Sequence, residues 1–326
     1  MRNSAIALWA AAVLALTAGP AGAACTMRLA GELPASLGAA GGVFTTVKVN
    51  GREVSAAVSI GGDESAVEGW ALKGLRLTQV PVDAEMRSPQ GTRGAYATVL
   101  DTLQLGGLTV KGVTLWVAGT PEQPREADAA SVILGSKLLS SFDIEFDLPH
   151  HAIRLFKPEG CRDDEVLYWG GAYSVTPLLG ESDGHFRSLI EVKLNKQPVR
   201  AKLSSGTHIS FVASALARRL GAKDVPGGSS FVEEPLDLRP VLLDEFSLDQ
   251  EASRNVVIEA AQLRQAYVND GTGTRLSALY SLEDMTLGAD FFAAHRLLIA
   301  NSQNRLYLSY TGGPLFGLSP APAKAE

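Results

Sequence analysis

The sequence predicts an all-β molecule built twice over, with short helices between its strands. Three observations lead there. Apolar residues alternate with polar ones in short runs ending at two-residue turns, which is the period of strands and hairpins. The run "VKVNGREVSAAVSIGG" (47–62) aligns without a gap on "VKLNKQPVRAKLSSGT" (192–207), at an offset of 145. A second pair follows in the same order: "ILGSKLLSSFDIEFDLPHHAIRL" (133–155) lies on "TLGADFFAAHRLLIANSQNRLYL" (286–308), at an offset of 153. Two ordered matches of this length mark a tandem duplication, with halves at 25–160 and 161–313.

Residues 1–24 stand outside that scheme. Arg2, an apolar run from Ala5 to Ala18 and a small-residue site at Ala21-Gly22-Ala23 read as a secretory signal. The run is shorter than the roughly 20 residues a membrane span needs, and no second span follows. The expectation is an exported, periplasmic protein with no membrane span. Without Arg2, 28 basic side chains face 35 acidic ones, a formal charge of −7. That balance argues against a nucleic-acid partner, which would call for a basic face. Cys25 and Cys161 are the only cysteines. In an oxidising compartment they are expected to pair; the alternatives are two free thiols or a lipid on Cys25.

Within the first half, Val47 and Val49 alternate up to Asn50-Gly51, and Val54, Ala56 and Val58 return as a hairpin. In the second half Ile190, Val192 and Leu194 lead to Asn195, and Val199, Ala201 and Leu203 return. A helix is expected over Phe211, Ala215, Leu216 and Leu220, closed by Gly221. Residues 100–117 form a hairpin around Gly106-Gly107, and 244–260 are its weaker counterpart. "GTRG" (91–94), with Gly91 and Gly94, suggests a mobile hairpin tip. Residues 314–326, rich in Pro and Ala, are read as a disordered tail.

Strand, Asn-turn, strand, tight glycine loop, hairpin and a Leu-Gly segment, given twice in this order, resemble the aspartyl proteases of the retropepsin and pepsin type, in particular the exported bacterial two-lobed form. Leu134-Gly135 and Leu287-Gly288 carry the Leu-Gly motif. The resemblance implies two pseudo-symmetric β-barrel lobes with a cleft between them. It also implies that each half brings an Asp to the pseudo-twofold axis, where the two carboxylates share a proton and activate a water. This sequence departs from that pattern at both positions. The Asp-Thr/Ser-Gly loops read Ser59-Ile60-Gly61 and Ser204-Ser205-Gly206. A serine hydroxyl cannot serve as a base toward water, so the expectation is a protease-like protein without peptidase activity. Its cleft is expected to hold an extended peptide, with no cofactor and no metal. Two rivals stand beside it: a hydrolase using other residues, and a structural component of an envelope assembly.

Substitutes for the missing acids can be named. Asp63 and Glu64 follow the first loop, and His208 stands where Asp63 has its repeat mate, so a displaced acid or a Ser204–His208 pair is a candidate. The simpler reading places all of them at turns. Asp143, Glu145 and Asp147, followed by His150 and His151, raise a metal site. The simpler reading there is a solvated strand face. Trp70, Tyr168 and Trp169 read as packing residues.

Overall fold

The structure is a computed structural model of the chain and describes residues 25–38, 41–62, 64–88, 91–122, 129–162, 166–180, 188–226, 231–233, 236–263 and 284–317. The expected signal segment lies outside them. Each half closes a ring of six strands. In the first, Val43–Val49, Arg52–Ser59, Val132–Gly135, Ala66–Glu68, Leu108–Ala118 and Gly91–Leu105 pair in that order. The ring shuts where Lys48 and Val49 meet Gln104 and Leu103. In the second, Leu189–Leu194, Gln197–Leu203, Met285–Leu287, Phe211–Ala213, Glu251–Leu263 and Leu236–Leu248 follow the same path. Lys193 and Leu194 close it on Ser247 and Phe246.

The repeated asparagine explains how each ring shuts. Asn50 and Asn195 both adopt φ 47° at the hairpin turn, a conformation Asn tolerates better than most residues. The Asn50 carboxamide oxygen accepts from the Thr102 N–H at 2.9 Å, and the Asn50 N–H donates to the Thr102 carbonyl at 2.9 Å. Asn195 makes the same two bonds to Glu245, at 3.0 and 2.8 Å. One residue type therefore turns the chain and clasps the seam.

The halves then share a third sheet, which the sequence reading did not anticipate. Thr26–Pro34, Ala152–Glu159, Asp143–Asp147, His295–Ala300, Arg305–Tyr310 and Ser174–Pro177 lie side by side. At its centre Ile144 faces Ile299, Glu145 faces Leu298 and Phe146 faces Leu297. Residue 298 is residue 145 moved by the repeat offset of 153, so the pseudo-twofold axis passes through the Glu145–Leu298 pair. The inner face (Ile144, Phe146, Leu297, Ile299) joins a core that runs through both halves. Phe146 meets Phe292 edge-on at 5.0 Å. Each such large, fully buried side chain contributes about 1.5–3 kcal/mol. Cys25 and Cys161 are bonded to each other, next to the outermost rung Thr26–Glu159 of this sheet.

The outer face corrects the expectation of solvated acids. Asp143, Glu145 and Asp147 are 1%, 0% and 2% exposed. Val166, Leu167 and Trp169 pack over that face with Phe156, Leu298 and Tyr307. Beneath the cover Glu145 accepts from Arg154 at 3.2 Å, from Arg296 at 2.6 Å and from the Tyr168 hydroxyl. Asp147 is held by Arg154 at 3.1 Å and His150 at 2.7 Å. The Arg296 guanidinium lies over the rings of Trp169 and Tyr168, 4.5 and 5.2 Å from their centroids. Burial pushes the Asp147 carboxyl up, but His150, Arg154 and the Arg296 charge outweigh it and hold it below the usual aspartate range. Burial raises Asp143 against hydrogen bonds from Ser302 and Asn301. Burial and Glu145 push the Tyr168 phenol up to about 12.

Two further expectations shift. The helix after the second loop spans Ser214–Arg219. Phe211 belongs instead to the strand Phe211–Ala213, paired with Glu259–Ala261 and with Met285–Thr286. Sheet pairing on both sides overrides the helical spacing there. Residues 314–317, assigned to the tail, are described, and Phe316 among them is packed. Phe316 is 8% exposed and lies 5.2 Å from the Phe246 ring, and the Gly317 N–H donates to Asp290 at 2.8 Å. Residues 318–326 lie outside the described part.

Candidate functional site: two facing serine loops

Each ring delivers its loop at the end of a strand held in parallel pairing with the Leu-Gly segment. Ser59 lies opposite Gly135, and Leu203, just before Ser204, lies opposite Leu287. The Ser204 N–H donates to the Leu287 carbonyl at 2.9 Å. A serine six residues past each loop serine fastens the Leu-Gly motif from the other side. Ser65 accepts from the Gly135 N–H and Ser210 from the Gly288 N–H, both at 2.9 Å. Gly288 is sterically required: a Cβ there would sit 2.6 Å from the Ile209 carbonyl carbon.

The loops meet face to face. A Cβ on Gly61 would lie 2.6 Å from Ser204 Oγ, and one on Gly206 would lie 3.0 Å from Ser59 Oγ. Each hydroxyl therefore rests against the opposite loop's glycine, and any side chain at either glycine would fill the space between them. The contact is unequal. Ser205 is fully buried; its hydroxyl donates to the Val58 carbonyl at 2.5 Å and accepts from the Ile60 N–H at 3.1 Å. Its repeat mate Ile60, 1% exposed, has no hydroxyl to return the bond. Ser204 Oγ shares a hydrogen bond with Thr207 Oγ1 at 2.7 Å. The first strand of the first ring also reaches the second loop: Val43 N–H donates to the Ser205 carbonyl at 2.7 Å.

Two of the proposed substitutes, Glu64 and His208, have neighbours of their own. The Glu64 carboxylate is engaged by Lys137 at 3.2 Å and by the Trp116 indole N–H at 3.1 Å. His208 packs its Cβ against Gly41, where an added Cβ would lie 2.2 Å away. Asp63 lies outside the described residues. Gly91 and Gly94 pair with Ser88 and Glu85 in the hairpin formed by Val80–Ser88 and Gly91–Leu105. Trp70 packs at the margin of the core. Among the described residues, no group of three or more His, Cys, Asp or Glu side chains could hold a metal ion, and no helix is long and apolar enough to cross a membrane.

The sequence reading missed three members of the site. Ser65 and Ser210 are themselves repeat mates at the offset of 145, so extending the alignment three residues would have found them. Asp290 was not foreseen. It is 1% exposed and accepts from Ser210 N–H and Oγ at 2.8 and 2.6 Å and from Phe291 N–H at 2.8 Å. Burial pushes its carboxyl up against these bonds. Asp290 fixes the back of the second loop rather than its front.

With this geometry in place, the comparisons become readable. Residues 45–138, which include the first serine loop and its Leu-Gly segment, match the family model described as an aspartyl protease. Among solved structures, the aspartic proteinase from Irpex lacteus is similar with a TM-score of 0.50 and 13% identity, over 86% of this chain and 97% of that one. The fold is pepsin-like. Comparison with curated protein sequences gives no match. The two loops meet between the two barrels. Here they bring together two hydroxyls. Hydroxyls donate and accept hydrogen bonds while staying neutral, and this pair contains no group able to deprotonate a water.

Proposed function

We propose that this protein is an exported, catalytically silent counterpart of the aspartic proteinases that holds extended peptides between its two barrels. The observation that carries the reading is the facing Ser59 and Ser204 pair, each hydroxyl lying against the other loop's glycine. Both loops are backed in the same way, by Ser65 and Ser210, so the two halves of the site are built alike while neither brings an acid. A positioned acid or base is worth about 10²–10⁴-fold in rate, and both are replaced. Export is supported by the signal-like first 24 residues and by the Cys25–Cys161 bond. A cleft between lobes suits an extended chain, which main-chain hydrogen bonds can hold without reading every side chain.

The test uses purified mature protein and an unfolded protein substrate between pH 3 and pH 8. The expected result is no cleavage, together with saturable binding of an extended peptide. Cleavage that vanishes in Ser59→Ala/Ser204→Ala would overturn the silent reading. Absence of any peptide binding would turn the assignment toward a structural role.

A further inference from the structure

We infer that the Ser59/Ser204 pair is a carboxylate receptor, taking an acidic side chain or the C-terminal carboxylate of the peptide that the cleft holds. The inference rests on the peptide-binding reading and deepens it. Replacing two aspartates by serines changes more than a reaction. A serine Oγ stands where an aspartate has its carboxyl carbon, so a serine at each position lacks the two carboxyl oxygens and the acidic group an aspartate would bring to the meeting point of the loops. The pair that remains offers two hydroxyls where the loops meet, Ser204 Oγ against Gly61 and Ser59 Oγ against Gly206.

Donors are available there for definite reasons. Ser205, the third hydroxyl nearby, is committed to Val58 and Ile60, which leaves Ser59 and Ser204 to face a ligand. Thr207 Oγ1 lies 2.7 Å from Ser204 Oγ. When Thr207 donates in this pair, the Ser204 proton is free to point at a ligand oxygen. Ser204 is only 9% exposed, and hydrogen bonds to a charged acceptor are strongest where water is scarce. Among the described residues, two acids close in sequence to the loops and their supports are engaged by other partners. The Glu64 carboxylate faces Lys137 and Trp116, and Asp290 is surrounded by donors from Ser210, Phe291 and Gly317. Segments 59–62 and 204–208 contain no acidic residue. A pair of aspartates sharing one proton still carries a negative charge and would repel a ligand carboxylate; this neutral pair of serines would welcome one.

The test is a fluorescence-polarisation titration with matched extended peptides. One set carries Asp or Asn at a central position, and the other ends in a free carboxylate or an amide. The expected result is a preference of about tenfold for the acid over its neutral isostere in one set. The set that shows it tells a side chain from a chain terminus. The preference should disappear in Ser59→Ala/Ser204→Ala. Should that variant fail to fold, Ser59→Asp supplies the second arm: it places a carboxylate in the receptor and should make the acid the weaker ligand. Equal binding of acid and isostere, or a preference that survives the double alanine change or Ser59→Asp, overturns the inference while leaving peptide binding standing. If no peptide binds at all, the peptide reading falls and this inference falls with it.

Discussion

The first and second serine loops descend from one sequence, yet they do different work. The second loop reaches across: Ser205 ties Val58 and Ile60 of its partner. The first fills the same position with Ile60, which packs in the core instead. The shared sheet repeats the lesson on its outer face. The first half supplies Asp143, Glu145 and Asp147, while their mates at the offset of 153 are Arg296, Leu298 and Ala300. Duplication made the halves alike, and fusion into one chain freed each copy to hold one side of an unequal contact.

Breaking that inequality at its centre should have the largest effect. Glu145→Ala leaves Arg154, Arg296 and Tyr168 facing one another beneath Trp169, and it is expected to cost about 3–5 kcal/mol, read from the denaturant midpoint. Ser205→Ala strands a buried carbonyl and a buried N–H in the opposite loop, at a cost of about 1–3 kcal/mol. Ile60→Val removes one methylene and is expected to cost about 0.5–1.5 kcal/mol; a larger loss than at Ser205 would reverse the assigned roles.

The pH dependence sharpens the comparison further. The native Asp147 carboxyl is held low, so its contribution is present above the ordinary aspartate value of about 3.9 and is lost as pH falls through the native value. Asp143 is raised, so its contribution runs oppositely: full below the ordinary value and lost as pH rises through the native one. Melting temperatures of Asp147→Asn and Asp143→Asn against pH should therefore depart from the parent with opposite slopes. The one stabilising change concerns the two hairpin turns. Lys196 has φ 66° where the first half has Gly51 at φ 79°, so Lys196→Gly should stabilise by about 1 kcal/mol.

Much of this was legible in the sequence because repeats and turns are local. Asn50 and Asn195, the Leu-Gly segments and both serine loops could be placed by alignment alone. What escaped depended on partners far away in the chain. The alternation of Asp143, Glu145 and Asp147 correctly says that they share a face. It says nothing of a lid at 166–169, or of arginines at 154 and 296 that make burial tolerable. Phe211 shows the same limit at smaller scale, since its helical spacing was outweighed by strands at 259–261 and 285–286. Phe316 was read by its Pro/Ala neighbours, whereas the Phe246 and Phe291 rings decide where it lies.

The strand pair on the axis bears on whether either half could stand alone. Two copies of the first half, joined as the halves are joined here, would set Glu145 against its own copy and Asp147 against Asp143. Paired side chains on neighbouring strands lie about 5 Å apart, so the acids would crowd a buried seam with Arg154 of each copy but no Arg296 to answer them. Two copies of the second half would meet at Leu298 against Leu298, with Arg296 opposite Ala300, and could tolerate the encounter. The seam has thus lost its symmetry on one side: the amino-terminal half takes from its sibling the Arg296 that answers Glu145 beside its own Arg154.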